Sequence, residues 1–262
     1  MDKKECKNAA RNQKARRAES FKKRMLHVIA GILCSLSAIG LTSAASIPPE
    51  AEVPQQMSSQ QTMIQLTVPY ISQENLLPTG CEIVSALMLL HYWGVPASSE
   101  KFLERLPQEP LKQVGNTLVG PNPDHTFVGD PHDEQGYGCY PPVLVQTINT
   151  FLPSLLQAYD TTGTPLPTLA KTYLPKNEPV LVWATIDMKP PTQGTTWTLQ
   201  DSGASFTWIG GEHCLVLCGY DAAGYWFNDP YDSNGLVYWD KETANLRCRQ
   251  MGLRSAVIRR TS

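Results

Sequence analysis

Apolar positions follow several distinct patterns along the chain. Residues 25–41 contain no Asp, Glu, Lys or Arg over seventeen positions. Residues 46–64 are polar and proline-rich, the composition of a linker that cannot pack a core. Between 78 and 94, Ile83, Ala86, Leu87 and Leu90 recur at helical spacing. Thr79 and Glu82 there read as a capping box, and Gly94 with Pro96 as the stop. Shorter helices are predicted near 98–106 and 142–152. Residues 179–186 are nearly all apolar and predict a central strand. Residues 213–221 predict a second buried strand, followed by a turn at 221–224 and an antiparallel return over 225–230. Helices first and antiparallel strands last make an α+β body over residues 65–262.

Charge divides the chain differently. The 262 residues carry 22 Lys and Arg against 24 Asp and Glu, a formal net charge of −2. Residues 1–24 hold ten of the basic residues and three acids, so this tail is +7 and the remainder −9. An acidic body excludes nucleic acid as its partner, because phosphate contacts need a positive surface. A basic tail, an apolar run and then small residues (Ser43, Ala44, Ala45) are the order of an export signal. Residues 25–45 are therefore expected to act as a signal peptide or a membrane anchor, with cleavage left open. The positive-inside rule keeps residues 1–24 in the cytoplasm and puts the body outside, secreted or anchored.

Five cysteines follow the apolar run: Cys81, Cys139, Cys214, Cys218 and Cys248. Disulfides are permitted outside the cell, and an odd count leaves at least one thiol without an internal partner. Cys214 and Cys218 lie about 13 Å apart on one strand, too far to bond each other. Cys81 falls in the first turn of the predicted helix. Unpaired N–H groups and the positive helix end favour a thiolate there, and the thiolate is the nucleophilic form. The alternative is a small buried residue.

Among the histidines, His91 lies ten residues along the same helix, about 15 Å away. His125 and His132 sit in a Pro/Gly/Asp loop. His213 opens a buried strand, and the return strand brings Asp229 back beside it, with Asn228 as substitute in another register. A carboxylate there would fix the imidazole tautomer. Gln73, eight residues before Cys81, is a candidate oxyanion donor together with the nucleophile's own N–H; its alternative is an exposed strand-end residue. A metal site from His213, Cys214 and Cys218 is disfavoured, because adjacent strand residues point to opposite faces. The chain also has no CxxC or HExxH spacing. No metal and no cofactor are expected.

Val68-Pro69-Tyr70-Ile71-Ser72-Gln73 and Pro78-Thr79-Gly80-Cys81-Glu82 together resemble the start of bacterial double-glycine-leader-peptidase-like domains of cysteine peptidase family 39. Phe127-Val128-Gly129-Asp130-Pro131, Gly136-Tyr137-Gly138, Gly211-Glu212-His213, Gly219-Tyr220-Asp221 and Asn228-Asp229-Pro230 extend the resemblance over about residues 66–240. It implies a papain-like fold, with Cys81 as nucleophile, His213 as base, Asp229 as orienting acid and Gln73 as oxyanion donor. His213 and Asp229 follow Cys81 by 132 and 148 residues. No Walker loop occurs, so the resemblance is to the stand-alone branch. The expected activity is hydrolysis of a peptide or amide bond through an acyl-enzyme on a peptide or protein substrate. A transpeptidase- or transglutaminase-like acyl transferase, or an inactive membrane-tethered binding module of the same fold, remain alternatives. Residues 114–140 are a candidate cleft wall.

Overall fold

The computed structural model describes residues 63–261, apart from Asn75 and Asn234. The basic tail, the apolar run and nearly all of the linker lie outside the described residues. Within them, no helix is long and apolar enough to cross a membrane.

In chain order the strands are β1 (Ile64–Gln65), β2 (Gln108–Glu109), β3 (Lys112–Val114), β4 (Thr117–Gly120), β5 (Phe127–Val128), β6 (Leu156–Asp160), β7 (Val180–Thr185), β8 (Thr192–Leu199), β9 (Ser205–Gly210), β10 (Glu212–Tyr220), β11 (Gly224–Asn228), β12 (Leu236–Asp240) and β13 (Ser255–Arg260). The α-helices are α1 (Cys81–Tyr92), α2 (Ser99–Leu103), α3 (Pro141–Asn149), α4 (Leu166–Tyr173) and α5 (Lys241–Gln250). The main sheet has the order β12-β11-β10-β7-β13-β6, and β1 adds to β10 just beyond the start of β7 at Val180. Every pair in it is antiparallel.

Period-two alternation divides this sheet between two cores. Leu181, Trp183, Cys214, Val216 and Cys218 face a cluster with α1 and α3. Val180, Val182, Ala184, Leu215 and Leu217 face a second cluster with α4 and α5. This is why β7 and β10 read as nearly continuous apolar runs: both of their faces are covered. Helix α1 is buried at every position from Cys81 to Leu90. It therefore lacks a polar face, and its stripe at 83, 86, 87 and 90 marks only part of what it packs.

The structure departs from the sequence reading at the start of α1. Gly80 is the N-cap, and no side chain caps the helix. Thr79 instead donates from Oγ1 to the carbonyls of Asp133 (3.0 Å) and Asp130 (3.4 Å). Glu82 is turned into the protein interior, so the predicted capping box does not form. Gly80 is required by packing, since a Cβ there would lie 2.5 Å from the Leu77 Cβ. Segment 114–140 is also more ordered than a long loop. It contributes β4 to a four-stranded sheet, β3-β4-β8-β9, and β5 to a parallel pair with β2.

Candidate active site

Three segments converge at the head of α1. The first is residues 73–80, a tight coil in which the Gln73 carbonyl accepts from Leu76 and Leu77 N–H, both at 3.1 Å. The second is the start of β10. The third is the end of β11, tied to the first by the Gln73 N–H donating to the Pro230 carbonyl at 2.9 Å.

The β10–β11 hairpin forms with Val216 opposite Asn228 and a register shift between Leu217 and Gly219. It returns Asp229 to His213, with Nε2 to Oδ1 at 2.7 Å. Both residues are buried. A carboxylate on Nε2 takes the ring N–H, which leaves Nδ1 as a lone-pair acceptor. Burial pushes the Asp229 carboxyl up, but the His213 charge and hydrogen bond and the N–H groups of Tyr231 and Asp232 outweigh it, so it sits below its ordinary value. Asn228 does not stand in for Asp229; its amide donates to the Val68 carbonyl at 2.8 Å.

Gln73 is buried rather than exposed. Its Nε2 donates to the Pro78 carbonyl at 3.0 Å, while Oε1 has no hydrogen-bond partner among the described residues. Among the described residues, one of the two Nε2 hydrogens is thus unused.

Cys81 holds the first position of α1, as the sequence predicts, but its thiol is engaged inward. Sγ donates to Glu82 Oε2 at 3.2 Å and accepts the Cys214 N–H at 3.4 Å. No hydrogen bond joins it to His213 among the described residues. Burial raises the thiol well above its ordinary value, and the Glu82 and Glu212 carboxylates and the Cys214 thiol add to this; only the Cys214 N–H opposes them. Desolvation and two acidic neighbours thus act against the stabilisation that a helix N-terminus offers a thiolate.

Those two neighbours are what the sequence reading missed. Glu82 is fully buried; Oε1 accepts the Cys139 N–H at 2.8 Å and Oε2 the Cys81 thiol. Burial raises its carboxyl to about 7 against the pull of its own N–H, the Cys139 N–H, the Cys81 thiol and the His213 charge. Glu212 is buried too, and Oε1 has no hydrogen-bond partner among the described residues. Burial and then Glu82 push it up, with Arg254 pulling the other way. The signal was available: residues 212 and 214 share a strand face, and Cys214 is on the face that α1 covers.

The five described cysteines are all free and buried. His91 is exposed, with Nε2 2.8 Å from the Ala97 carbonyl, and His125 and His132 lie at the surface beside Asp201 and Asp130. The described surface pocket lies away from this site, lined by Pro167, Tyr220, Tyr225, Lys241 and Asn245 of the α4–α5 side.

Gly138 makes room for Glu82. Its φ of 150° is unusual for a side-chain-bearing residue, and a Cβ there would strike the Glu82 Oε1. Gly138→Ala should cost about 2 kcal/mol or more, through overpacking plus backbone strain. That corresponds to a melting temperature lower by roughly 4–8 °C for a domain of this size. An unchanged melting temperature would mean that Glu82 does not sit against this glycine.

A mixed α/β fold with a mostly antiparallel sheet, and a cysteine heading the helix packed on it, define a papain-like architecture. Residues 65–252 match the Peptidase_C39 like family, and the chain belongs to that family. It is 28% identical over 184 residues to the uncharacterised protein YvpB of Bacillus subtilis (strain 168), covering 70% of each chain. It also superimposes on the crystal structure of an inferred C39-like peptidase from Bacillus anthracis with a TM-score of 0.68 and 29% identity, covering 77% of this chain and 99% of that one.

Proposed function

We propose that this protein is a cysteine peptidase that hydrolyses a peptide or amide bond through an acyl-enzyme on Cys81, outside the cytoplasmic membrane. The observation that carries the reading is the buried His213–Asp229 pair. It spends Nε2 on the carboxylate and leaves Nδ1 as a base beside the head of α1. In the productive arrangement the Cys81 side chain turns from Glu82 toward the cleft and gives its proton to Nδ1. The thiolate attacks the carbonyl carbon, and the oxyanion meets the first-turn N–H groups and the spare Gln73 N–H. His213 then protonates the leaving amine, and water releases the acyl group. The outer location rests on the basic tail followed by an apolar run, residues 1–45, which would secrete or anchor the body.

The inward thiol favours one second reading, an inactive binding module on the same fold. Alkylation separates the two. Iodoacetamide labelling of the native protein, mapped by peptide mass, is expected to modify Cys81 at a rate that His213→Ala lowers at least tenfold. Equal rates in wild type and His213→Ala would move the reading to the module.

A further inference from the structure

The Cys81 Sγ, a Glu82 carboxylate oxygen and a Glu212 carboxylate oxygen all lie within 4.8 Å of one another, and all three residues are buried. Glu212 is 8% exposed, and its Oε1 has no hydrogen-bond partner among the described residues. Neither carboxylate is needed by the acyl-transfer step. Two acids and a thiol buried together are costly unless they are neutralised by protons or by a cation. Among the described residues, Arg254 is the basic side chain that acts on Glu212, and its guanidinium is already stacked on the Tyr140 ring at 3.5 Å.

We propose that Cys81, Glu82 and Glu212 form a binding site for a borderline-soft divalent cation, of which zinc is the representative. One sulfur and two carboxylate oxygens are a zinc donor set; calcium and magnesium need about six oxygens, which are not present here. Ligands at about 2.0–2.3 Å from a common tetrahedral ion stand roughly 3.3–3.8 Å apart. The sulfur and Glu82 Oε2 already stand 3.2 Å apart, no pair exceeds 4.8 Å, and the widest would close by at most about 1.5 Å, a side-chain adjustment that leaves the fourth position open. Glu82 is already held for this by the Cys139 N–H on Oε1, which directs Oε2 at the sulfur. When the ion enters, the Cys81 proton and any proton on the carboxyl pair leave to solvent.

The site goes beyond the peptidase reading and does not need it. If that reading also holds, the bound ion pins Cys81 inward, away from His213, and the loaded protein is the inactive form.

The test uses the full chain, stripped with a chelator and titrated with zinc in competition with a chromophoric chelator, then loaded with cobalt(II) for absorbance. One equivalent is expected to bind, with a sulfur-to-cobalt charge-transfer band in the near ultraviolet. Cys81→Ser should abolish the band. Glu212→Gln should weaken binding at least tenfold, with circular dichroism confirming that it folds. His213→Ala should leave both band and affinity in place, so the result stands even if no peptidase activity is found. Absence of stoichiometric binding would overturn the proposal. So would binding unchanged by Cys81→Ser and Glu212→Gln, which would assign the metal to surface pairs such as His132 with Asp130.

Discussion

Cys81→Ser is expected to lower kcat/KM by about 10⁴-fold or more, because removing one member of a cooperating nucleophile–base set forfeits nearly everything the set contributes. The fold should survive. A serine hydroxyl at this position can still donate to Glu82 and accept the Cys214 N–H, the two contacts the thiol makes. The melting temperature should therefore stay within a few degrees of wild type, which separates lost chemistry from lost structure. The substrates are a library of internally quenched peptides, with the protein kept in chelator. Combining Cys81→Ser with His213→Ala should cost little beyond either change alone, since the two act as a unit. Residual turnover within tenfold of wild type in Cys81→Ser would remove Cys81 from the reaction.

Elements with strong periodicity were legible in the sequence. The helix expected over 78–94 spans Cys81–Tyr92, and the strands expected at 179–186 and 213–221 are Val180–Thr185 and Glu212–Tyr220. The apolar run of β7 gave its interior place correctly, between β10 and β13. The hairpin argument placed Asp229 beside His213 without any structure, because a short turn leaves few registers. What pattern could not give was the long-range environment. Glu82 three residues after Thr79 satisfies the local rule for a cap, and local rules carry no information on burial. Here β10 and the 136–140 segment close over Glu82. The Cys139 N–H then holds its carboxylate in the interior alongside Glu82's own N–H, away from the Thr79 end that a capping box would need. The raised Cys81 thiol has the same origin: the helix end is a fixed local advantage that sequence shows, whereas burial and the two acids come from tertiary contacts that it does not. The hairpin of β8 (Thr192–Leu199) and β9 (Ser205–Gly210) also went unread. Its threonines, glycine and tryptophans alternate weakly, and its register breaks between Gln193 and Thr196.

Trp183 links the core to this site, and its removal should produce the largest loss of stability. It sits on β7 opposite Cys214 of β10 and is fully buried in the cluster beneath α1. Its indole N–H donates to the Cys139 carbonyl at 3.1 Å, and the N–H of that same residue grips Glu82 at 2.8 Å. Trp183→Ala removes a large side chain from a packed interior, worth about 3–5 kcal/mol, and also leaves a buried carbonyl without its donor. A loss of about 4 kcal/mol or more is expected, read as a melting temperature lower by roughly 8–16 °C. Trp183→Phe separates the two contributions. It keeps most of the volume, deletes the N–H and leaves only a small void where the second ring was, so it should cost about 1–3 kcal/mol. It should also reduce hydrogen-exchange protection at the Cys139 amide, because the segment carrying that amide loses one of its anchors. A Phe variant as stable as wild type, with Cys139 equally protected, would show that packing alone holds Trp183 and that Glu82 is positioned without help from β7.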